Sequence, residues 1–201
     1  MGISTKYFKK ETIDFIVKNY DKNISILDVG SGSGTYYDLL NPLGYNNLDG
    51  VEAFYPYIKK FDLQSKYKKL YIGDITKIEI DYSKYDLIIM GDVFEHIKKE
   101  DAKILVDNIN TIDMIISIPF ESEQGPINEN LYEIHQQSDL NVFNFLENYT
   151  NFSPLCLRFD YGVFTTKKSD LIYIEDKERE LPKEYFNYVN LNYEKNNIIT
   201  L

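Results

Sequence analysis

The chain has 201 residues and a formal net charge of −10, with 43% hydrophobic and 27% charged residues. That length suits one domain with a sizeable core, the acidity argues against a surface built to grip phosphate backbones, and no apolar run approaches the roughly 20 residues needed to span a bilayer. The first residues carry no apolar signal-peptide core, and Cys156 is the only cysteine, so no internal disulfide forms and a reducing cytoplasm is the expected location.

From Ser4, a plausible N-cap, to Tyr20 the spacing of Ile13, Ile16, Val17 and Tyr20 predicts an amphipathic helix. A first strand follows at 24–29, ending in Asp28-Val-Gly30-Ser-Gly32-Ser-Gly34, and a helix runs on to about Leu40. Glycines at alternate positions permit positive φ and let the backbone come close to a ligand. A second strand, 47–51, ends at Glu52, and Pro56 opens a helix to about Lys66. Short strands at 70–72 and 85–90 are closed by Gly73-Asp74 and by Gly91-Asp92. A helix at 98–110 turns Ile104, Leu105 and Ile109 inward, and a fifth strand at 112–118 stops at Pro119. The polar segment 120–138 reads as a long loop, a length often tied to function. Asp139 caps a helix carrying Leu140, Phe143 and Leu146, and strands at 155–159 and 171–174 finish the pattern as antiparallel neighbours. In the charged tail, Tyr185, Phe186, Tyr188 and Val189 are placed to dock on the body.

Strands alternating with helices give an α/β class: one Rossmann-like, doubly wound domain with a mostly parallel, seven-stranded sheet and an antiparallel strand near one edge. Its parts are an N-terminal helix (1–22), the core (23–176) and a C-terminal tail (177–201). Asp28, Glu52, Asp74 and Asp92 each end a successive strand, which puts four carboxylates on the rim where such sheets bind ligands.

These residues resemble the class I S-adenosylmethionine-dependent methyltransferases. The first motif of that family is an acidic residue, any residue, then Gly-x-Gly-x-Gly, here Asp28 to Gly34, and the resemblance extends through Glu52, Gly73-Asp74-Ile75 and Asp86 to His96 over roughly residues 22–120. It implies S-adenosylmethionine as cofactor. Gly30 and Gly32 meet the methionine moiety, Asp28 lies near its ammonium, and Glu52 accepts from both ribose hydroxyls. Asp74 binds the adenine amino group with Ile75 on the ring face, Phe54 or Tyr55 packs on the other side, and Asp92 borders the methionine end. Ser31, Gly34, Ala53 and Val93 complete the implied set. A cofactor with a sulfonium and an ammonium but no phosphate also suits an acidic rim, which would repel a pyrophosphate.

Methyl transfer from a sulfonium asks the enzyme chiefly to position the acceptor, and a hydroxyl acceptor calls for a base of near-neutral pKa. Of two histidines, His135 lies in the long loop and is the candidate base, oriented by Glu133 or Glu121. Asp92-x-x-Glu95-His96 is similar to an acidic-x-x-Glu-His group that holds a divalent cation in some quinone-pathway methyltransferases. The same string is common in members without a metal, so no metal is expected, with Asp92, Glu95 and His96 as the ligands if one binds. Ser117-Ile-Pro119-Phe120, Gln124-Gly125 and Glu133-x-His135 look like methyltransferases of glycan-synthesis genes. The expected reaction is O-methylation of a sugar, glycan or other small hydroxyl acceptor. The alternatives are a small phenolic or carboxylic acceptor, RNA (disfavoured by charge), or a non-catalytic cofactor-binding module of a larger assembly.

Overall fold

The computed structural model describes residues 5–175 and 181–201. In chain order come α1 (Lys9–Asn19), β1 (Ile26–Val29), α2 (Thr35–Leu40), β2 (Leu48–Glu52), the short α3 (Tyr55–Lys60) and α4 (Leu63–Lys66), β3 (Lys69–Ile72), β4 (Leu87–Gly91), α5 (Lys99–Asn108) and β5 (Asp113–Pro119). The second part holds α6 (Val142–Asn148), β6 (Ser153–Arg158), β7 (Tyr161–Thr165), β8 (Ile172–Ile174), α7 (Lys183–Asn192) and β9 (Ile198–Thr200). These strands form one sheet in the order β3-β2-β1-β4-β5-β7-β6-β8-β9. Only β7 runs against its neighbours β5 and β6; the other pairings described are parallel.

Successive strand residues point to opposite faces, so a strand apolar at every position needs cover on both. Leu27, Val29, Ile88, Met90, Met114, Ile116 and Ile118 join one core with α5, α6 and α7. Ile26, Leu87, Ile89 and Ile115 join the other with α1, α2 and Ile58 of α3. The doubly wound α/β expectation is met. The tail docks as expected, with Tyr185 and Val189 buried and Phe186 and Tyr188 packed against the first core.

Several local expectations change. The sheet has nine described strands rather than seven, because β7 and β9 were not read as strands. Ile172–Ile174 lies parallel to β6, not antiparallel; the antiparallel partner is β7, reached by a turn at Phe159-Asp160. On α5, Ile104 is 60% exposed, and Ala102, Leu105 and Val106 take the inner face with Ile109 just beyond. On α1, Val17 is 48% exposed while Phe15 is buried, and the helix begins at Lys9; Ser4 lies outside the described residues. The cap of α6 is Asn141, in a reciprocal box with Asn144, rather than Asp139; Val142 and Phe145 point inward and Phe143 is half-exposed. The helix after Pro56 breaks at Asp62, whose φ is +51°, giving α3 and α4.

The chain runs outward from β1 to β2 to β3, then returns to place β4 on the other side of β1. That reversal opens a crevice beyond the carboxyl ends of β1 and β4.

Candidate active site

A cavity of about 480 Å³ lies beyond the ends of β1 to β4, within the range of small-molecule sites. The turn after β1 forms its floor. Gly30 has φ +69°, and a Cβ there would stand 2.2 Å from Cγ2 of Val93, so the turn packs against the β4 loop only as glycine. The amides of Gly30 and Ser31 both donate to the Val51 carbonyl at 2.9 Å, which ties the turn to β2.

Glu52 ends β2 and is buried. Its Oε2 accepts from the Gly32 amide at 2.8 Å and its Oε1 from the Phe54 amide at 2.7 Å. Burial pushes its carboxyl above the usual range, and those two amides partly offset the shift. One strand further out, burial alone would raise the Asp74 carboxyl. Lys77 Nζ at 2.8 Å, with the Thr76 hydroxyl and amide, instead holds it below its ordinary value.

At the end of β4, Asp92 adopts φ +56°. Its Oδ2 accepts from the Thr5 amide at 2.7 Å and its Oδ1 from the Tyr161 hydroxyl. The one-turn helix Phe94–His96 follows. The Glu95 side chain is 2% exposed, and its Oε2 has no hydrogen-bond partner among the described residues. Burial first, and then the Asp92 charge, raise its carboxyl well above the usual range. His96 Nδ1 lies 3.2 Å from the Ile134 carbonyl; burial holds this imidazole below its ordinary pKa, the neutral form.

The polar segment after β5 covers this end of the cavity. His135 Nδ1 lies 2.7 Å from the Ser122 carbonyl, and the ring stands edge-on to His96 with centroids 4.9 Å apart. The Glu95 carbonyl accepts from the amides of Gln136 and Gln137, and Gln124 Nε2 donates to the Glu133 carbonyl at 2.7 Å. Glu133 does not orient His135: its Oε1 accepts from the Tyr57 hydroxyl at 3.2 Å and from Asn130 Nδ2 at 3.3 Å. Nor does Glu121, whose Oε1 accepts from Asn141. The Ser122 carbonyl does that work.

The family model described as a methyltransferase domain matches residues 3–113, more than half of the chain. The chain belongs to the methyltransferase-domain family. Solved S-adenosylmethionine-dependent methyltransferases share its fold. An S-adenosylmethionine-dependent methyltransferase from Clostridium acetobutylicum aligns with TM-score 0.61 at 14% identity over 81% of this chain and 91% of that one. A Burkholderia thailandensis 1,6-didemethyltoxoflavin-N1-methyltransferase, with its substrate and S-adenosylhomocysteine bound, aligns with TM-score 0.56 at 13% identity over 79% and 76%. The small RNA methyltransferase HEN1 aligns with TM-score 0.57 at 16% identity over 83% of this chain and 27% of that one. At such identities the likeness is one of fold. No curated protein sequence matches the chain.

Of the residues expected at the methyltransferase's cofactor, Gly30, Gly32, Glu52, Ala53, Asp74, Ile75, Asp92 and Val93 line the cavity, and so do Glu133 and His135. Asp28, Ser31 and Gly34 do not line it. Asp28 is buried beneath the turn, where its carboxylate accepts from the Tyr67 hydroxyl; burial, opposed by that bond, pushes it up to about 7. Ser31 Oγ turns inward to the carbonyls of Asp28 and Val51, and Gly34 starts α2 against the Lys66 side chain. Tyr55 is 69% exposed, and neither it nor Phe54 lines the cavity. Tyr57 does, one turn further along α3. Thr5, Tyr57 and Asn130 were not singled out from the sequence. Only Tyr57 left a trace there, as an aromatic on the helix that Pro56 opens.

The methyltransferase's residues fit the cofactor. Gly30 lines the cavity with no side chain to intrude on it, and the Glu52 oxygens, each accepting one of the amide hydrogen bonds from Gly32 and Phe54, keep acceptor capacity for ribose hydroxyls. Ile75 offers an apolar surface beside Asp74, and the carboxylates of Glu52, Asp74 and Asp92 border a site for a cation.

Proposed function

We propose that this methyltransferase acts as a single domain and methylates a hydroxyl oxygen of a sugar or another small acceptor. S-adenosylmethionine, when bound, supplies an electrophilic methyl. Gly30, Gly32 and Glu52 hold the nucleoside and methionine parts in place, and Ile75 with Tyr57 flanks them. The acceptor meets the polar face of the 122–136 segment, where Ser122, Gln124, Asn130 and His135 line the cavity. Such side chains pair with hydroxyl groups. The observation that carries the reading is His135. Its Nδ1 faces a carbonyl, which only accepts, so the hydrogen sits on Nδ1 and Nε2 is left with a lone pair on a ring that lines the cavity. From there His135 takes the acceptor's proton as the new O–C bond forms and the S–C bond breaks. Glu133 acts through Tyr57 and Asn130, as a positioning residue for the segment over the cavity.

The net charge of −10 favours a small neutral acceptor over RNA, the substrate class printed for the structurally similar HEN1. The buried, single Cys156 suits a reducing compartment such as the cytoplasm. No described helix is long and apolar enough to cross a membrane.

Transfer of a labelled methyl from S-adenosylmethionine to panels of sugars, phenols, carboxylic acids and RNA tests this. Incorporation into a hydroxyl compound, reduced at least 100-fold in His135→Ala, is expected. Labelling of RNA alone overturns the acceptor class, and cofactor binding with no transfer to any panel favours a non-catalytic module.

A further inference from the structure

We propose that Glu95, His96 and His135 form a binding site for a divalent transition-metal ion at the β4 end of the cavity. One ligand atom from each lies within 4.8 Å of the others. Three atoms so spaced surround a point no more than about 2.8 Å from each, so side-chain shifts of under about 1 Å bring them to metal bond lengths near 2.0–2.2 Å.

The surroundings of the three residues prepare them as ligands. His96 Nδ1 faces the Ile134 carbonyl and His135 Nδ1 faces the Ser122 carbonyl. A carbonyl only accepts, so both rings carry their hydrogen on Nδ1 and present Nε2 as a lone pair. A backbone carbonyl behind each histidine is the usual outer support of a metal-bound imidazole. His96 Nε2 lies 3.8 Å from Glu95 Oε1. The other Glu95 oxygen is buried without a hydrogen-bond partner, a costly arrangement for a carboxylate that a cation at this point would relieve. The backbone around the cluster is fixed too, because the Glu95 carbonyl holds the amides of Gln136 and Gln137 just beyond His135.

The ligand set differs from the one read in the sequence. Asp92, whose carboxylate binds Thr5 and Tyr161, is not in the cluster, and His135 from the long loop takes the third place. Two imidazoles and one carboxylate favour a first-row transition metal over Mg²⁺ or Ca²⁺, whose preferred ligands are all oxygen. Three protein ligands leave positions open toward the cavity. The role of the ion rests on the methyltransferase reading. A cation there lowers the pKa of an acceptor hydroxyl, whose proton goes to solvent as the O–C bond forms and the S–C bond breaks. His135 then serves as a ligand instead of a free base.

The test is calorimetric titration of Zn²⁺ into the chelator-treated protein without cofactor, with Co²⁺ absorption as a second readout. One saturating equivalent of Zn²⁺ is expected, with visible Co²⁺ ligand-field bands that also saturate at one equivalent. Glu95→Gln and His135→Ala should each weaken Zn²⁺ binding at least tenfold and remove those bands, while the exposed Glu100→Gln binds as the parent does. Wild-type protein that shows no saturable binding overturns the site even if a variant fails to fold. So does binding undiminished in Glu95→Gln and His135→Ala. S-adenosylmethionine titrated into the same metal-free protein separates the two readings: cofactor binding without metal binding removes the ion and leaves the methyltransferase, and the reverse result does the opposite.

Discussion

Glu52 Oε2 accepts a hydrogen bond from the Gly32 amide at 2.8 Å, so the carboxylate proposed to bind the cofactor's ribose also fastens the glycine turn beside it. A hydrogen bond to a charged group contributes about 1.5–3 kcal/mol. Glu52→Gln loses the charge and presents an amide hydrogen to one of the two backbone donors. The expected result is S-adenosylmethionine affinity lower by roughly 10- to 100-fold, since each 1.4 kcal/mol is about tenfold. Isothermal titration measures it, and an unchanged Kd contradicts the role given to Glu52.

Two glycines of one turn separate binding from folding. Alanine at Gly30 (φ +69°) would press its Cβ to 2.2 Å from Val93, on the cavity wall. Alanine at Gly34 (φ +82°) would meet the flexible Lys66 Cδ at 2.8 Å, away from the cavity. The left-handed conformation costs each alanine roughly 1–2 kcal/mol, which at roughly 2–4 °C per kcal/mol lowers both melting temperatures. Only Gly30→Ala should also lose cofactor affinity, by at least tenfold. Equal affinities in the two variants would place the cofactor elsewhere.

Asp28 governs part of the pH dependence. Its carboxyl is raised by burial from 3.8 to about 7 in the folded state. A carboxyl raised in this way holds its proton more tightly when folded, so its contribution is present below about pH 4 and is lost as pH rises to about 7. Glu52 and Glu95 shift in the same direction, and the lowered His96 works in the opposite one. Comparing Asp28→Asn with the parent isolates the residue. The variant should gain stability relative to the parent, on the order of 3 kcal/mol, between pH 4 and pH 7. Denaturant melts at several pH values read the difference, and a constant offset across that range rejects it.

The Tyr57–Glu133 hydrogen bond at 3.2 Å joins α3 to the segment over the cavity. An average hydrogen bond contributes about 1 kcal/mol, so Tyr57→Phe should speed hydrogen exchange of the amides at 131–135 by roughly fivefold. Exchange elsewhere in the sheet should stay as it was. Unaltered protection at 131–135 shows that the segment is held by its other bonds alone.

The parts legible in the sequence are the ones that depend on local pattern. The unbroken apolar run Leu87–Met90 announced a strand covered on both faces, and Glu52, Asp74 and Asp92, at or just beyond the ends of β2, β3 and β4, marked the rim, whereas Asp28 lies buried beneath the turn. β7 escaped because Gly162 interrupts its apolar run; that glycine is there because a Cβ would stand 2.4 Å from the Phe120 ring. Ile104 misled because α5 is covered along Ala102, Leu105 and Val106, a face shared with the neighbouring positions by spacing alone. Contacts that complete the site join residues far apart in sequence: Thr5 meets Asp92 across 87 positions and Tyr57 meets Glu133 across 76. The pairing of His135 with the Ser122 carbonyl rather than with Glu133 depends on how the loop folds over β4, which spacing does not encode.

The glycine turn and its acidic rim are proposed to cradle a sulfonium cofactor. The most direct measurement is parallel titration of S-adenosylmethionine, S-adenosylhomocysteine and NAD into the purified protein. One-to-one binding of the first two is expected, and none of NAD, whose pyrophosphate would face Glu52 and Asp74. Saturable NAD binding with no uptake of S-adenosylmethionine would contradict it.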